Sequence, residues 1–218
     1  MTADTDTPAT LTPEEVESLF TRSDGSYLFA RWGRAIAPIV FGVQDETLAV
    51  VREAVQGVCA LAGHEMTEMD AELGSNLMFF FFRDWAELPE VPGMDRLVPE
   101  LDDLVARLSA AQANQYRLYR FDPQGAIKAC FVFIRMDENL QAVPAQTLAL
   151  SQAVQSILLW SDRAFTDRSP LKVATGETTV LRPDIAALVR AAYDPVMPVC
   201  AQDPAHALRL AARLTRPV

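Results

Sequence analysis

Leu77-Met78-Phe79-Phe80-Phe81-Phe82 places six large apolar side chains in a row, bounded by Asn76 on one side and Arg83-Asp84 on the other. The run is strand-sized, and far shorter than the stretch needed to span a bilayer. Successive side chains of a strand point to opposite faces, so a run without polar alternation is apolar on both. Such a strand must lie inside a sheet that is covered on both sides. One cover has to be helical; the other is either helical or a long segment of chain.

The helices that could serve as covers are legible. Thr12-Pro13-Glu14-Glu15 has a capping residue, a proline suited to the first helical position and a glutamate three residues after the cap, which predicts a helix running to about Thr21. Asp45 to Ala62 repeats Leu48, Val51, Val55, Val58, Cys59 and Ala62 along one helical face and meets a natural stop at Gly63. Asp95 to Ala111 reads as a second amphipathic helix behind a link containing Pro89 and Pro92. Pro144 to Trp160, Leu181 to Tyr193 and Asp203 to Leu214 supply three more. Ile36 to Val43 is a short strand held to an edge, or near its own start, by Pro38. Asn114 to Phe121 and Ala126 to Met136 form a hairpin about Asp122-Pro123-Gln124-Gly125. Strands early and helices late predict an α+β fold: a mixed sheet of about four strands packed by helices, with a helical C-terminal third. With 218 residues, half of them hydrophobic, the expectation is one domain over 13–218 behind a flexible lead-in, 1–12.

The formal net charge of −10 disfavours phosphate backbones and anionic membranes, so neither nucleic acid nor membrane is an expected partner. Arg209, Arg213 and Arg216, following His206, are the local exception, and read as a solvated face near a helix C-terminus. Met1 to Thr12 has no apolar stretch to act as a signal peptide. Cys59, Cys130 and Cys200 are scattered and odd in number, and the first and second sit among apolar residues. They read as core thiols in a reducing compartment, which points to the cytoplasm.

Chemistry-bearing motifs are sparse. His64-Glu65-Met66-Thr67-Glu68 begins like a zinc-protease HExxH, but Glu68 stands where the second imidazole belongs, and His64 reads as a surface residue. The acidic stretch Glu65 to Glu72 lacks calcium-loop spacing and reads as a solvated connection. No glycine-rich phosphate loop and no GxSxG occurs. The informative region is 151–162, where Ser151, Gln152 and Gln155 interrupt an apolar helix. Ser151 and Gln155 are four apart and share a face. These three are the candidate ligand-binding residues; the plain alternative is a helix whose amide-bearing side faces water. No metal and no cofactor is expected, because two histidines far apart and three scattered cysteines place no pair of ligands on one element.

Arg31-Trp32 before Ile36 to Gly42, the strand Asn76 to Phe82, the helix end Gln155 to Asp162, and Asp184 with Tyr193-Asp194-Pro195 resemble an uncharacterised bacterial family of putative lipoproteins with a zincin-like, metallopeptidase-type fold. The resemblance implies a zincin scaffold in which Ser151-Gln152-Ala153-Val154-Gln155 stands in the region of HExxH. Ser and Gln are poor zinc ligands, and Gln152 cannot take a proton as Glu does. Leu158 also replaces an expected glycine, and the family's lipoprotein signal is missing. The function expected is therefore non-catalytic binding of a protein partner or small ligand in a cleft beside the 144–160 helix. The alternative is a hydrolase-type enzyme whose site is not recognisable in the sequence.

Overall fold

The computed structural model describes residues 10–174 and 178–214. Most of the lead-in, residues 1–9, and Arg216 lie outside the described residues. Thr12 caps α1 (Pro13–Ser18), its hydroxyl accepting from the Glu15 N–H while the Glu15 carboxylate takes the Thr12 N–H at 2.7 Å. The helix stops short of Thr21, which pairs with Tyr27 across the turn instead. Then follow β1 (Phe29–Ala30), β2 (Pro38–Phe41), α2 (Asp45–Ala62) and β3 (Leu77–Phe82). After a 3₁₀ helix at Trp85–Glu90 come α3 (Met94–Leu97), α4 (Leu101–Ala110), β4 (Gln115–Phe121) and β5 (Ile127–Arg135). The chain continues through α5 (Glu138–Gln141), α6 (Ala145–Ile157), β6 (Leu171–Val173), β7 (Thr179–Leu181), α7 (Pro183–Ala192), β8 (Cys200–Ala201) and α8 (Ala205–Leu214).

The architecture is α+β around a mixed four-stranded sheet ordered β2-β3-β5-β4. β2, β3 and β5 run parallel, and β4 returns antiparallel along β5. β2 holds an edge, as Pro38 requires. β3 is interior, and its phenylalanines divide between two cores. Phe79 is buried with Val132, Val55 and Val154 on the face covered by α2 and α6. Phe80 and Phe82 are buried with Phe131, Phe133, Trp85, Leu88 and Leu104 on the face covered by the 3₁₀ helix, α3 and α4. Both covers are thus helical.

α2 starts and stops where its periodicity says, with Gly63 in the left-handed conformation at φ 62°. The expected helix over 95–111 is broken in two. Pro99 forces Val98 into extended backbone and Glu100 sits at φ 52°, so α4 begins afresh at Leu101. The link ahead of it is not a plain connection, because Asp84 caps the 3₁₀ helix in a reciprocal box with Glu87. The C-terminal third is helical but also contains the β6–β7 hairpin and β8, which pairs with β1. At the β4–β5 turn, Gly125 has φ 81°, and a Cβ there would lie 2.6 Å from the Cys200 sulfur. That turn needs glycine for both reasons.

Candidate functional site

Alternate residues of β4 share a face, and Gln115, Arg117 and Tyr119 turn theirs toward α6. Tyr116 and Leu118 pack into the opposite core. α6 presents Ser151, Gln152, Gln155 and Ser156 to this layer, so a polar seam runs between strand and helix where an apolar one would be ordinary. Gln152 is buried, not turned to water. Its Nε2 donates to Gln115 Oε1 at 2.8 Å, and its Oε1 accepts from Arg117 Nη2 at 2.5 Å. Arg117 Nη2 also reaches Gln115 Oε1 at 3.5 Å. Burial holds the guanidinium below its ordinary pKa. Among the described residues no carboxylate pairs with Arg117; its Nε is buried without a partner and its Nη1 bonds to no protein atom.

Ser151 and Gln155 are half-buried and bonded to each other, Gln155 Nε2 donating to Ser151 Oγ at 2.9 Å. Ser151, Gln152 and Gln115 line a cleft of about 400 Å³ between the first turns of α6, the end of α5 and the β6–β7 hairpin. Leu140, Val143, Leu148 and Leu171 form its apolar wall, and the exposed Lys172 stands at its rim. Two of the three expected site residues therefore open onto the cleft, and Gln155 lies one turn further along. Gln115, Arg117 and Lys172 went unread in the sequence. The polar alternation Gln115, Arg117, Tyr119 on a strand beside an apolar helix was the available signal for the first two.

The far end of the same helix is held by aromatic side chains. α6 ends at Ile157 without a glycine, and Leu158 leaves in extended backbone to bridge Arg31. Its last four carbonyls are each satisfied by an aromatic donor. Val154 O accepts from Trp160 Nε1 at 2.9 Å, Gln155 O from Tyr119 OH at 3.0 Å, Ser156 O from Trp32 Nε1 at 2.8 Å and Ile157 O from Tyr193 OH at 2.8 Å. Arg31 lies over the Tyr193 ring at 5.3 Å. Burial raises the hydroxyl pKa of both Tyr119 and Tyr193, keeping them neutral donors.

The remaining titratable candidates lie elsewhere. His64 is half-buried rather than a surface residue: its ring sits 5.0 Å from that of Tyr193, its Nε2 is 2.8 Å from Arg34 O, and desolvation lowers its pKa. His206 is buried against Phe29 with Nδ1 at 2.8 Å from Tyr27 OH. The acidic stretch 65–72 is pinned as well as solvated. Glu68 pairs with Arg52, Glu72 pairs with Arg34 and Lys128, and Asp70 is buried, accepting from the Glu72 and Leu73 N–H groups and from Asn76. Cys59 and Cys130 are buried, and burial pushes their thiols up to about 11 and about 12. Among the described residues, no three His, Cys, Asp or Glu side chains converge as a metal site would require, and no helix is long and apolar enough to cross a membrane. No family model matches the chain, and no curated protein or solved structure is significantly similar to it.

Proposed function

We propose that this is a non-catalytic binding protein that takes a partner or small ligand in the cleft beside α6. One observation carries the reading: a cleft with an aliphatic wall and a few convergent polar groups, Gln115, Ser151 and Gln152, that fix orientation. Ligand sites are commonly built this way, and about 400 Å³ lies within their usual range. The hydrolase alternative has less behind it. Ser151 Oγ takes its hydrogen bond from an amide, not from a base, and each histidine is engaged in another part of the fold.

The zincin-like reading belongs to the same proposal. α2 and α6 pack side by side on one face of a mixed sheet whose edge strand β4 is antiparallel, an arrangement that supports such a scaffold. Ser151 and Gln155, in the region of the two imidazoles, bond to each other, which suits a scaffold used for binding. The proposal keeps the cytoplasm as the location, supported by three unpaired cysteines, and excludes nucleic acid as a partner on account of the acidic chain. The test is a fragment screen on the isotopically labelled protein by NMR. Shifts should concentrate at Gln115, Thr147 to Gln152 and Leu171 to Lys172. Hits confined to other surfaces, or ester or peptide hydrolysis abolished by Ser151→Ala, would overturn the reading.

A further inference from the structure

Resting on that reading, we infer that the cleft beside α6 takes a singly charged carboxylate on an apolar body, with Lys172 and Arg117 supplying the positive charge. The chain is strongly acidic, and eight ion pairs join its charges among the described residues. Arg117 and Lys172 enter none of them. Arg117 is held in place by neutral groups alone, the amide oxygens of Gln115 and Gln152, which fix its Nη2 and leave its charge uncompensated. A partly desolvated cation without a counter-ion is costly, and an anion nearby repays that cost. The low dielectric around it also lets its field reach further than that of a solvated arginine.

Lys172 lines the opening and Arg117 stands one layer back. Gln115 and Gln152, the groups that grip Arg117, are themselves part of the cleft wall, so Arg117 lies directly behind that wall. Lys172 lies at the rim on β6. An anionic head near Gln115 meets an amide, the ammonium of Lys172 and the field of Arg117. The rest of the molecule then covers Leu140, Val143, Leu148 and Leu171. Only one of the two cations, Lys172, lines the cleft and can meet a ligand directly, while Arg117 acts from behind the amides, which suits one negative charge better than a phosphate dianion. The aliphatic wall selects an apolar body over a sugar or a bare ion.

The test is calorimetric titration of the full chain with sodium octanoate and, in parallel, with 1-octanol, which has the same apolar body and no charge. Octanoate should bind once per chain, about tenfold or more tighter than octanol, and should weaken as salt is raised. Lys172→Ala, at an exposed position, and Arg117→Met should each remove most of that preference, whereas Arg117→Lys should keep it. Thr147→Trp, which fills the cleft from α6, should abolish binding of both probes. Equal binding of octanoate and octanol, both lost in Thr147→Trp, would overturn the charge assignment and leave the cleft as a ligand site. Octanoate binding that survives Thr147→Trp would overturn both. Failure of octanoate to bind, or binding untouched by Lys172→Ala and Arg117→Met with circular dichroism unchanged, would overturn the inference. Should Arg117→Met fail to fold, Lys172→Ala and Arg117→Lys still decide it.

Discussion

His206 is fully buried, close to Phe29 and bonded through one ring nitrogen to Tyr27, and its Nε2 has no partner. Protonation would give the ring a second N–H with no acceptor, within the field of Arg209 and Arg213 on its own helix. Burial first, then those two cations, push its pKa down to about 4. In the unfolded chain the ring titrates near the ordinary value of about 6.5. Between these values the unfolded state binds more protons, so stability rises with pH there. The penalty is absent above about 6.5 and complete below about 4, where it amounts to roughly 3 kcal/mol. Urea denaturation from pH 7 to pH 4 should therefore show a fall that His206→Gln makes shallower, the remainder including the share of His64, whose pKa burial also lowers. A variant profile parallel to that of the wild type would assign the acid sensitivity to other groups. The burial of His206 was not readable from the sequence, because His-Ala-Leu-Arg fits an exposed helix as well as a packed one. By contrast, the polar interruption at Ser151 and Gln152 was readable, and it led to the cleft. For Arg117 the alternation with Gln115 and Tyr119 marked only a polar strand face; its partner Gln152, 35 residues away, is not given by any local pattern.

α6 was legible in its start, but it stops at Ile157 rather than at the expected Trp160, and its fastening was illegible. Its start follows from an apolar run after Pro144, and α2 was equally plain from its periodicity and Gly63. The break between α3 and α4 was missed because apolar spacing continues across Val98-Pro99 while the backbone does not. β1, β6, β7 and β8, of two or three residues each, are too short to carry a period. The C-terminus of α6 is harder still, since three of its four donors come from distant segments: Trp32, Tyr119 and Tyr193. Each hydroxyl or indole N–H there satisfies a carbonyl that would otherwise be buried and unpaired. Tyr193→Phe should consequently cost about 1–3 kcal/mol, and Tyr119→Phe a similar amount. Tyr116→Phe is the control, because the Tyr116 hydroxyl bonds to no protein atom among the described residues, and it should stay within about 0.5 kcal/mol. Equilibrium urea denaturation measures all three. Tyr193→Phe as mild as Tyr116→Phe would mean that water satisfies the Ile157 carbonyl just as well.

At the scale of the molecule, the two-faced strand with which the sequence is most explicit has a mechanical consequence. β3 and β5 each send alternate side chains into two cores: Phe79, Val132 and Ile134 into one, Phe80, Phe82, Phe131 and Phe133 into the other. Neither core can lose its sheet wall without stripping the other, so the two should melt as one cooperative unit. The tryptophans make this measurable, because Trp32 and Trp160 are buried in the first core and Trp85 in the second. In a Trp85→Phe background, fluorescence reports only the first core, while circular dichroism reports the whole fold. Leu104→Ala then removes a buried side chain from the second core, at a cost of about 2–5 kcal/mol. If the cores are coupled through the strands, fluorescence and circular dichroism should move together to the same lower urea midpoint, although the probe and the lesion lie on opposite faces of the sheet. An early circular-dichroism phase with the fluorescence midpoint unmoved would instead show the 3₁₀ helix, α3 and α4 peeling away from a sheet that survives on α2 and α6 alone.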